Sequence, residues 1–103
     1  MNIQQLIIDA EAGDLKAQWD LSNMYYEGDG VNQDDEKAFY WTSTAALQGH
    51  ITSQFNLGFL HSSGKGTEED TEKAIFWFRK AIHIQHMITT QKKGNSTTTT
   101  TFL

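Results

Sequence analysis

An internal repeat is the feature that most constrains this chain. Shifted by 36 residues, the stretch 13–48 superimposes on the stretch 49–84 with eleven identities. A fixed period of this size is typical of arrays in which each supersecondary unit buries its apolar face against the next unit. We therefore expect two similar stacked units. The identical pairs are Gly13/Gly49, Gln18/Gln54, Leu21/Leu57, Gly28/Gly64, Gly30/Gly66, Asp34/Asp70, Glu36/Glu72, Lys37/Lys73, Ala38/Ala74, Trp41/Trp77 and Ala45/Ala81.

The first half of each unit has the pattern of an amphipathic helix. In the first unit, apolar residues recur at i, i+4, i+7 and i+8, which lines one side of an α-helix. This spacing predicts a helix at about 14–26, with Asp14 as its cap and the glycines that follow as its end. We call this the A helix of a unit. The apolar residues are Ala17, Leu21, Met24 and Tyr25.

The second half of each unit predicts another helix, the B helix. It begins near Asp34, where three consecutive carboxylates favour the positive end of a helix dipole. Ala38, Trp41 and Ala45 mark its buried stripe at i, i+3 and i+7. The 36-residue shift then predicts the second A helix at about 50–62 and the second B helix at about 70–84.

Incomplete copies flank the two units. Upstream, the apolar residues of 1–12 align with a B helix, which predicts a B-type half-repeat helix there. Downstream, residues 85–93 resemble the start of a third A helix, so we expect a partial third repeat consisting of a short helix. From residue 94 to 103 the chain is rich in threonine, which is a poor helix former, and we expect a disordered tail.

Composition excludes several classes of function. The formal net charge of −5 argues against binding to a phosphate backbone, so we expect no nucleic-acid partner. The chain has no cysteine, which excludes disulfides and thiolate metal sites and fits a reducing cytoplasm. Neither a secretory signal nor an apolar run of about 20 residues is present, so we expect a cytoplasmic protein with no membrane partner.

The motif residues resemble those of Sel1-like repeat proteins, relatives of the tetratricopeptide repeats. The first unit carries Leu21-Ser22-Asn23-Met24-Tyr25, then Gly28-Asp29-Gly30-Val31, then Asp34, Lys37-Ala38 and Trp41, and ends on Ala45-Ala46 and Gly49-His50. The second unit departs from the family pattern at His61, where tyrosine is favoured, at Thr67, where valine is favoured, and at Ile82, where alanine is favoured. The first unit departs at Ser22, where the family favours glycine at a close helix crossing.

The resemblance covers roughly residues 3 to 85 and implies an all-α fold. We expect an α-solenoid of antiparallel helix pairs, with about five helices plus a short C-terminal helix. By resemblance, the common role is protein binding, and the A helices line the concave side. Most motif residues are then structural, since the alanines let helices approach and Trp41 and Trp77 fill the space between units.

The candidate binding residues lie on the A helices outside the core stripe. Trp19, Asn23 and Tyr26 fall at i, i+4 and i+7, and the shift of 36 residues carries them to Phe55, Phe59 and Ser62. On a concave surface these side chains form neighbouring columns, which suit a peptide or a partner helix. The alternative is that Trp19 and Phe55 only fill the space between adjacent A helices.

Other kinds of site have weaker support in the sequence. Gly28-Asp29-Gly30 precedes a helix start, but the carboxylates there would repel phosphate, so we expect no nucleotide or other cofactor. His83 and His86 share a helix face, yet no third metal ligand is close in sequence. No catalytic residues can be identified.

Three hypotheses for function follow. The first is a non-catalytic interaction module or adaptor that binds a protein or peptide, with a basic partner favoured by the acidic surroundings. The second, implied by cysteine-rich relatives of the family, is binding or hydrolysis of cell-wall or β-lactam-type ligands. The third is a truncated remnant of a longer array, whose open ends would favour end-to-end self-association.

Overall fold

In the part of the chain that the structure describes, five α-helices follow one another in a stacked array. The computed structural model describes residues 2–94, with side chains described for residues 2–90. Each helix packs on its neighbours in sequence through short turns, which sets neighbouring helices antiparallel. The molecule is an all-α solenoid, as the sequence predicts. The helices are α1 (Ile3–Glu11), α2 (Leu15–Glu27), α3 (Asp35–Leu47), α4 (Ile51–Ser63) and α5 (Thr71–Gly94).

Side-chain caps fix where the helices begin. Asp14 Oδ1 accepts a hydrogen bond from the backbone N–H of Ala17 at 2.9 Å, as the sequence predicts, and α2 starts one residue later. Asp34 and Asp70 cap α3 and α5 in the same manner, each accepting from an N–H three residues ahead at 3.0 Å. These caps satisfy backbone donors that have no partner within the helix.

Left-handed glycines end both A helices. Gly28 (φ 75°) follows α2 and Gly64 (φ 72°) follows α4, and each N–H donates to a carbonyl four residues back. A side chain at such a φ would be strained, which explains why both copies of the unit keep glycine. The A helices are therefore α2 and α4, and the B helices are α1, α3 and α5.

The core lies between the A and B helices. Ala17, Leu21 and Tyr25 of α2 are buried against Ala38 and Trp41 of α3, and Ala10 of α1 completes this cluster. In the second unit Leu57, Ala74 and Ala81 are buried as well. Trp77 differs from the prediction because it is only half-buried. In the repeat alignment, the shorter Thr42 and Ser43 correspond to Leu6 and Ile7, which pack against the first cluster.

Two buried glutamines join successive units. Gln18 Nε2 donates to the carbonyl oxygen of Ala10 at 2.9 Å, and Gln54 Nε2 donates to that of Ala46 at 3.2 Å. Each bond adds a second donor to a carbonyl near the end of the preceding B helix, which already accepts from the N–H of Gly13 or Gly49. Gln18 and Gln54 are one of the identical pairs, so this identity has a structural cause.

The predicted separate helix at 85–93 is not formed, and this part of the sequence prediction is corrected. Residues 71–94 make one uninterrupted helix, α5. The two turns that end earlier units carry glycine with positive φ, Gly13 at 103° and Gly49 at 93°. The next residue in that series is Gln85, which has no such freedom, so the helix continues. Apart from Gly94, the predicted Thr-rich tail lies outside the described residues.

Candidate functional site

A cavity of about 260 Å³ opens between the two A helices. Four of its lining residues belong to α2 and three to α4, while Thr42 reaches it from α3. Thr42 is buried, so it lies at the base of the cavity, beneath the two A helices. The lining residues are Ser22, Asn23, Tyr26, Glu27, Thr42, Asn56, Phe59 and Leu60.

Two aromatic side chains at the cavity remain open to solvent. Tyr26 of α2 is 48% exposed and Phe59 of α4 is 61% exposed, so both rings are available for contact with a ligand. The ammonium group of Lys65 lies 5.3 Å from the centre of the Tyr26 ring, a cation–π distance. The Phe59 ring packs edge-on against Phe78 of α5 at 5.1 Å. Each ring therefore has one contact with a residue of the second unit.

The structure separates the six predicted binding residues into two groups. Asn23, Tyr26 and Phe59 line the cavity together. The other three do not line it. Trp19 is half-buried with its ring 4.9 Å from that of His50, Phe55 is half-buried, and Ser62 is exposed with its hydroxyl bonded to the carbonyl of Phe59.

Trp19 packs against the residue that caps the next A helix, His50. His50 caps α4, with its Nδ1 accepting from the backbone N–H of Ser53 at 3.3 Å. Trp19 of α2 packs against this ring and so braces the start of the next A helix. The position of Trp19 fits the alternative in which it fills the space between adjacent A helices.

The cavity arises from a difference in side-chain size between the units. In the second unit Phe78 lies against Gly58, and a Cβ atom at Gly58 would come within 2.6 Å of the Phe78 ring. In the first unit the matching pair is Ser22 and Thr42. A short threonine thus stands where the second unit has phenylalanine, and it leaves space above it.

Sequence reasoning missed the residues at the base and wall of this cavity. From the sequence, Ser22 is only a departure from the family pattern, and Thr42, Asn56 and Leu60 are not predicted to bind a ligand. A signal was present, because the pairs Ser22/Gly58 and Thr42/Phe78 change size in opposite directions between the two copies. These size changes locate the cavity only once the structure shows that the two positions face each other.

A second apolar surface lies on α5. Ile75, Phe76 and Ile82 are exposed there. Ile82 corresponds to Ala46 of α3, which is buried. Within the described residues no further A helix covers α5 as α4 covers α3.

The buried histidine of the array is His61 on α4. It corresponds to Tyr25 of the first unit and lies edge-on to the Phe39 ring at 5.4 Å. Burial lowers the pKa of His61 from its ordinary value, and the nearby ammonium group of Lys73 lowers it further. These surroundings disfavour the protonated form of His61 in the folded chain.

The described residues provide neither a membrane-spanning helix nor a cluster of metal ligands. Within residues 2–94 no helix is both long enough and apolar enough to cross a membrane. Among the described side chains, no three of His, Asp and Glu lie close enough together to hold a metal ion.

Known proteins resemble this chain in sequence and in structure. The Sel1 repeat family model matches residues 15–50 and 51–83. A Sel1 repeat protein from Oxalobacter formigenes has a similar structure, with a TM-score of 0.68 and 33% identity, over 79% of this chain and 61% of that one. A protective antigen of uropathogenic Escherichia coli that displays an SLR fold gives a TM-score of 0.72 and 35% identity, over 77% of this chain.

This chain covers only a small part of two of the proteins that it resembles. The chain covers 17% of the Escherichia coli antigen. It is also 52% identical over 40 residues to an exopolysaccharide production negative regulator of Rhizobium leguminosarum bv. viciae, which is 39% of this chain and 15% of the regulator. The family model nevertheless spans most of the chain, and the helices follow the same repeat. This chain belongs to the Sel1 repeat family.

Proposed function

We propose that this chain binds a peptide or a segment of another protein on the face formed by α2 and α4. The observation that carries the proposal is the pair of exposed rings, Tyr26 and Phe59, on either side of a cavity between the A helices. Aromatic side chains are frequent anchors at protein interfaces because they supply large contact areas at little cost in conformational entropy.

The polar residues of the cavity support an extended ligand. Asn23 and Asn56 line it from opposite helices, and an amide side chain both donates and accepts hydrogen bonds. These groups suit a peptide backbone, which also presents both. Glu27 adds a carboxylate at the same cavity, and the net charge is −5, so a basic residue in the ligand would be favoured.

The comparisons support an interaction role in general terms. Sel1 repeat proteins are typically non-catalytic scaffolds that mediate protein interactions. The name of the matched Rhizobium protein, a negative regulator, fits a role exercised through binding. We propose the same kind of role here, as an adaptor without catalytic activity.

The proposal is tested by truncating the exposed rings and measuring binding to a peptide selected from a display library on the intact chain. We expect Tyr26→Ala and Phe59→Ala each to weaken binding by about tenfold, because each removes a large apolar contact of roughly 1.4 kcal/mol or more. Isothermal titration calorimetry on the folded variants measures the change.

The B helices offer a matched control. Tyr40 and Phe76 are exposed to a similar degree, 58% and 56%, and they lie on α3 and α5. Tyr40→Ala and Phe76→Ala remove the same kind of ring from the other helices and should leave affinity within about twofold. Equal losses from both pairs, or losses from the B-helix pair alone, would place the binding surface elsewhere.

A further inference from the structure

The three B helices differ at one position that faces the A helices. The repeat aligns Leu6 of α1, Thr42 of α3 and Phe78 of α5. Two of these residues are large and apolar, whereas the middle one is short and carries a hydroxyl. The cavity between α2 and α4 lies over Thr42, the short member of this series.

The second unit shows which side chain fits against the A helix at this position. There the Phe78 ring lies directly on Gly58 and meets Phe59 edge-on at 5.1 Å. In the first unit the matching surface of α2 is formed by Ser22 and Asn23, and the α3 residue that lines the cavity beside it is the short Thr42. Phe78 thus fills this position in the second unit, whereas a cavity lies over Thr42 at the matching position of the first unit.

We propose that this cavity binds a single aromatic side chain, of phenylalanine type, from a partner protein. The inference rests on the proposed function and specifies the anchor of the ligand. The incoming ring would occupy the first unit as the Phe78 ring occupies the second, and the Phe59 ring would form one of its walls.

The size and lining of the cavity fit that occupant. Its volume, about 260 Å³, is below the range of roughly 300–1,000 Å³ common for pockets that hold drug-sized ligands, and it suits one side chain. Leu60 and the Phe59 ring provide apolar contact. Asn23 and Asn56 stand on opposite sides, where they can bond to the backbone that carries the ring.

The chain itself provides the variant that fills the cavity. Thr42→Phe alone would meet the Cβ atom of Ser22, because the second unit tolerates Phe78 only beside glycine. The double variant Ser22→Gly with Thr42→Phe copies the pair Gly58 and Phe78. Ser22→Gly alone is the matched control, because it removes the serine and leaves the cavity open.

The experiment uses two display libraries of nine-residue peptides on the intact chain. One library has phenylalanine fixed at the centre, and the other has alanine there. We expect enrichment from the phenylalanine library, and the selected peptides should bind the double variant at least about tenfold more weakly than they bind Ser22→Gly. Equal enrichment from both libraries, or unchanged affinity for the folded double variant, would overturn the inference.

The same experiment separates this inference from the proposed function. Peptides that lose affinity with Phe59→Ala but bind the double variant unchanged would contradict the aromatic anchor and leave binding on the A-helix face intact. Failure of both libraries to yield any binder would contradict the proposed function and the anchor together.

A second measurement does not depend on how well the double variant folds. N-acetyl-phenylalaninamide is titrated into the intact ¹⁵N-labelled chain, and amide chemical shifts are recorded. We expect saturable shifts concentrated at Asn23, Thr42 and Phe59, with none from N-acetyl-alaninamide at the same concentration. Shifts spread over the surface, or equal shifts from the two compounds, would overturn the inference.

Discussion

His61 and Tyr25 occupy the same position in the two units and have different neighbours. Tyr25 has the ammonium group of Lys37 at 5.3 Å from its ring centre, a favourable cation–π contact. Lys73 is the residue that corresponds to Lys37, and near His61 its charge opposes protonation of the imidazole. The buried Nδ1 of His61 also has no hydrogen-bond partner among the described residues. The second unit thus carries an imidazole at the position where the first carries a phenol.

Stability should fall as the pH falls through the histidine range. Because burial and Lys73 lower the pKa of His61 in the folded chain, the unfolded chain binds the proton more readily once the pH drops below about 6.5. The stabilisation is therefore present above that pH and is lost toward lower pH.

His61→Tyr, which restores the residue of the first unit, should weaken this dependence. Urea unfolding at a series of pH values from about 7.5 to 5.5 measures the free energy of unfolding for both proteins. We expect a steeper decline for the parent chain. Parallel curves for the parent and the variant would show that His61 does not titrate as its surroundings indicate.

The buried positions could be predicted from the sequence, whereas the cavity could not. The buried positions Ala17, Leu21 and Trp41 follow from helical spacing, because burial on one face repeats with the turn of the helix. The cavity does not follow from spacing, since it depends on the combined volume of Ser22 and Thr42 on different helices. Facing partners must be known before volumes can be compared, and the structure supplies them.

At the scale of helices and turns, the two glycine turns have different surroundings. Gly30 (φ 79°) and Gly66 (φ 76°) are equivalent in sequence and in backbone conformation. A Cβ atom at Gly30 would meet only the end of the Met24 side chain, at 3.4 Å. At Gly66 it would collide with the carbonyl group of Asp35, where α3 begins, and approach the Cβ atom of Phe39 at 3.0 Å.

Alanine at these two glycines should therefore have unequal effects. Both substitutions place a side chain in the left-handed region, at a cost of about 1–2 kcal/mol. Gly66→Ala also forces the turn of the second unit away from α3, which should destabilise the chain by at least about 1 kcal/mol more than Gly30→Ala. Chemical denaturation of the two variants measures the difference. Equal destabilisation would mean that the turn of the second unit does not pack closely on the first.

The helix α5 is longer than the sequence predicts. The partial likeness of residues 86–91 to the start of α4 suggested a new helix, but a new helix needs a turn before it. Gln85 offers none of the freedom that glycine gives at Gly13 and Gly49, and no proline stops the helix. The helical backbone conformation of Gln85 therefore explains why α5 continues without a turn.

For the whole molecule, the repeat period determined the architecture. Each helix contacts its sequence neighbours, so the fold is a sum of similar local arrangements, and a period seen in the sequence transfers directly to the stack. Binding residues have no such period, because they differ between units. Three of the six predicted ones nevertheless meet at the cavity, since outward positions on adjacent A helices are neighbours in any such stack. End-to-end self-association through the apolar surface of α5 stays a prediction.

Binding on the A-helix face is the central claim, and mapping a bound peptide tests it most directly. A library-selected peptide is titrated into the ¹⁵N-labelled chain, and the perturbed amides are placed on the structure. We predict that they concentrate on α2 and α4, around Tyr26 and Phe59, and leave the exposed side of α5 near Ile75 and Ile82 unchanged. The largest perturbations on α5, with α2 unaffected, would contradict the account.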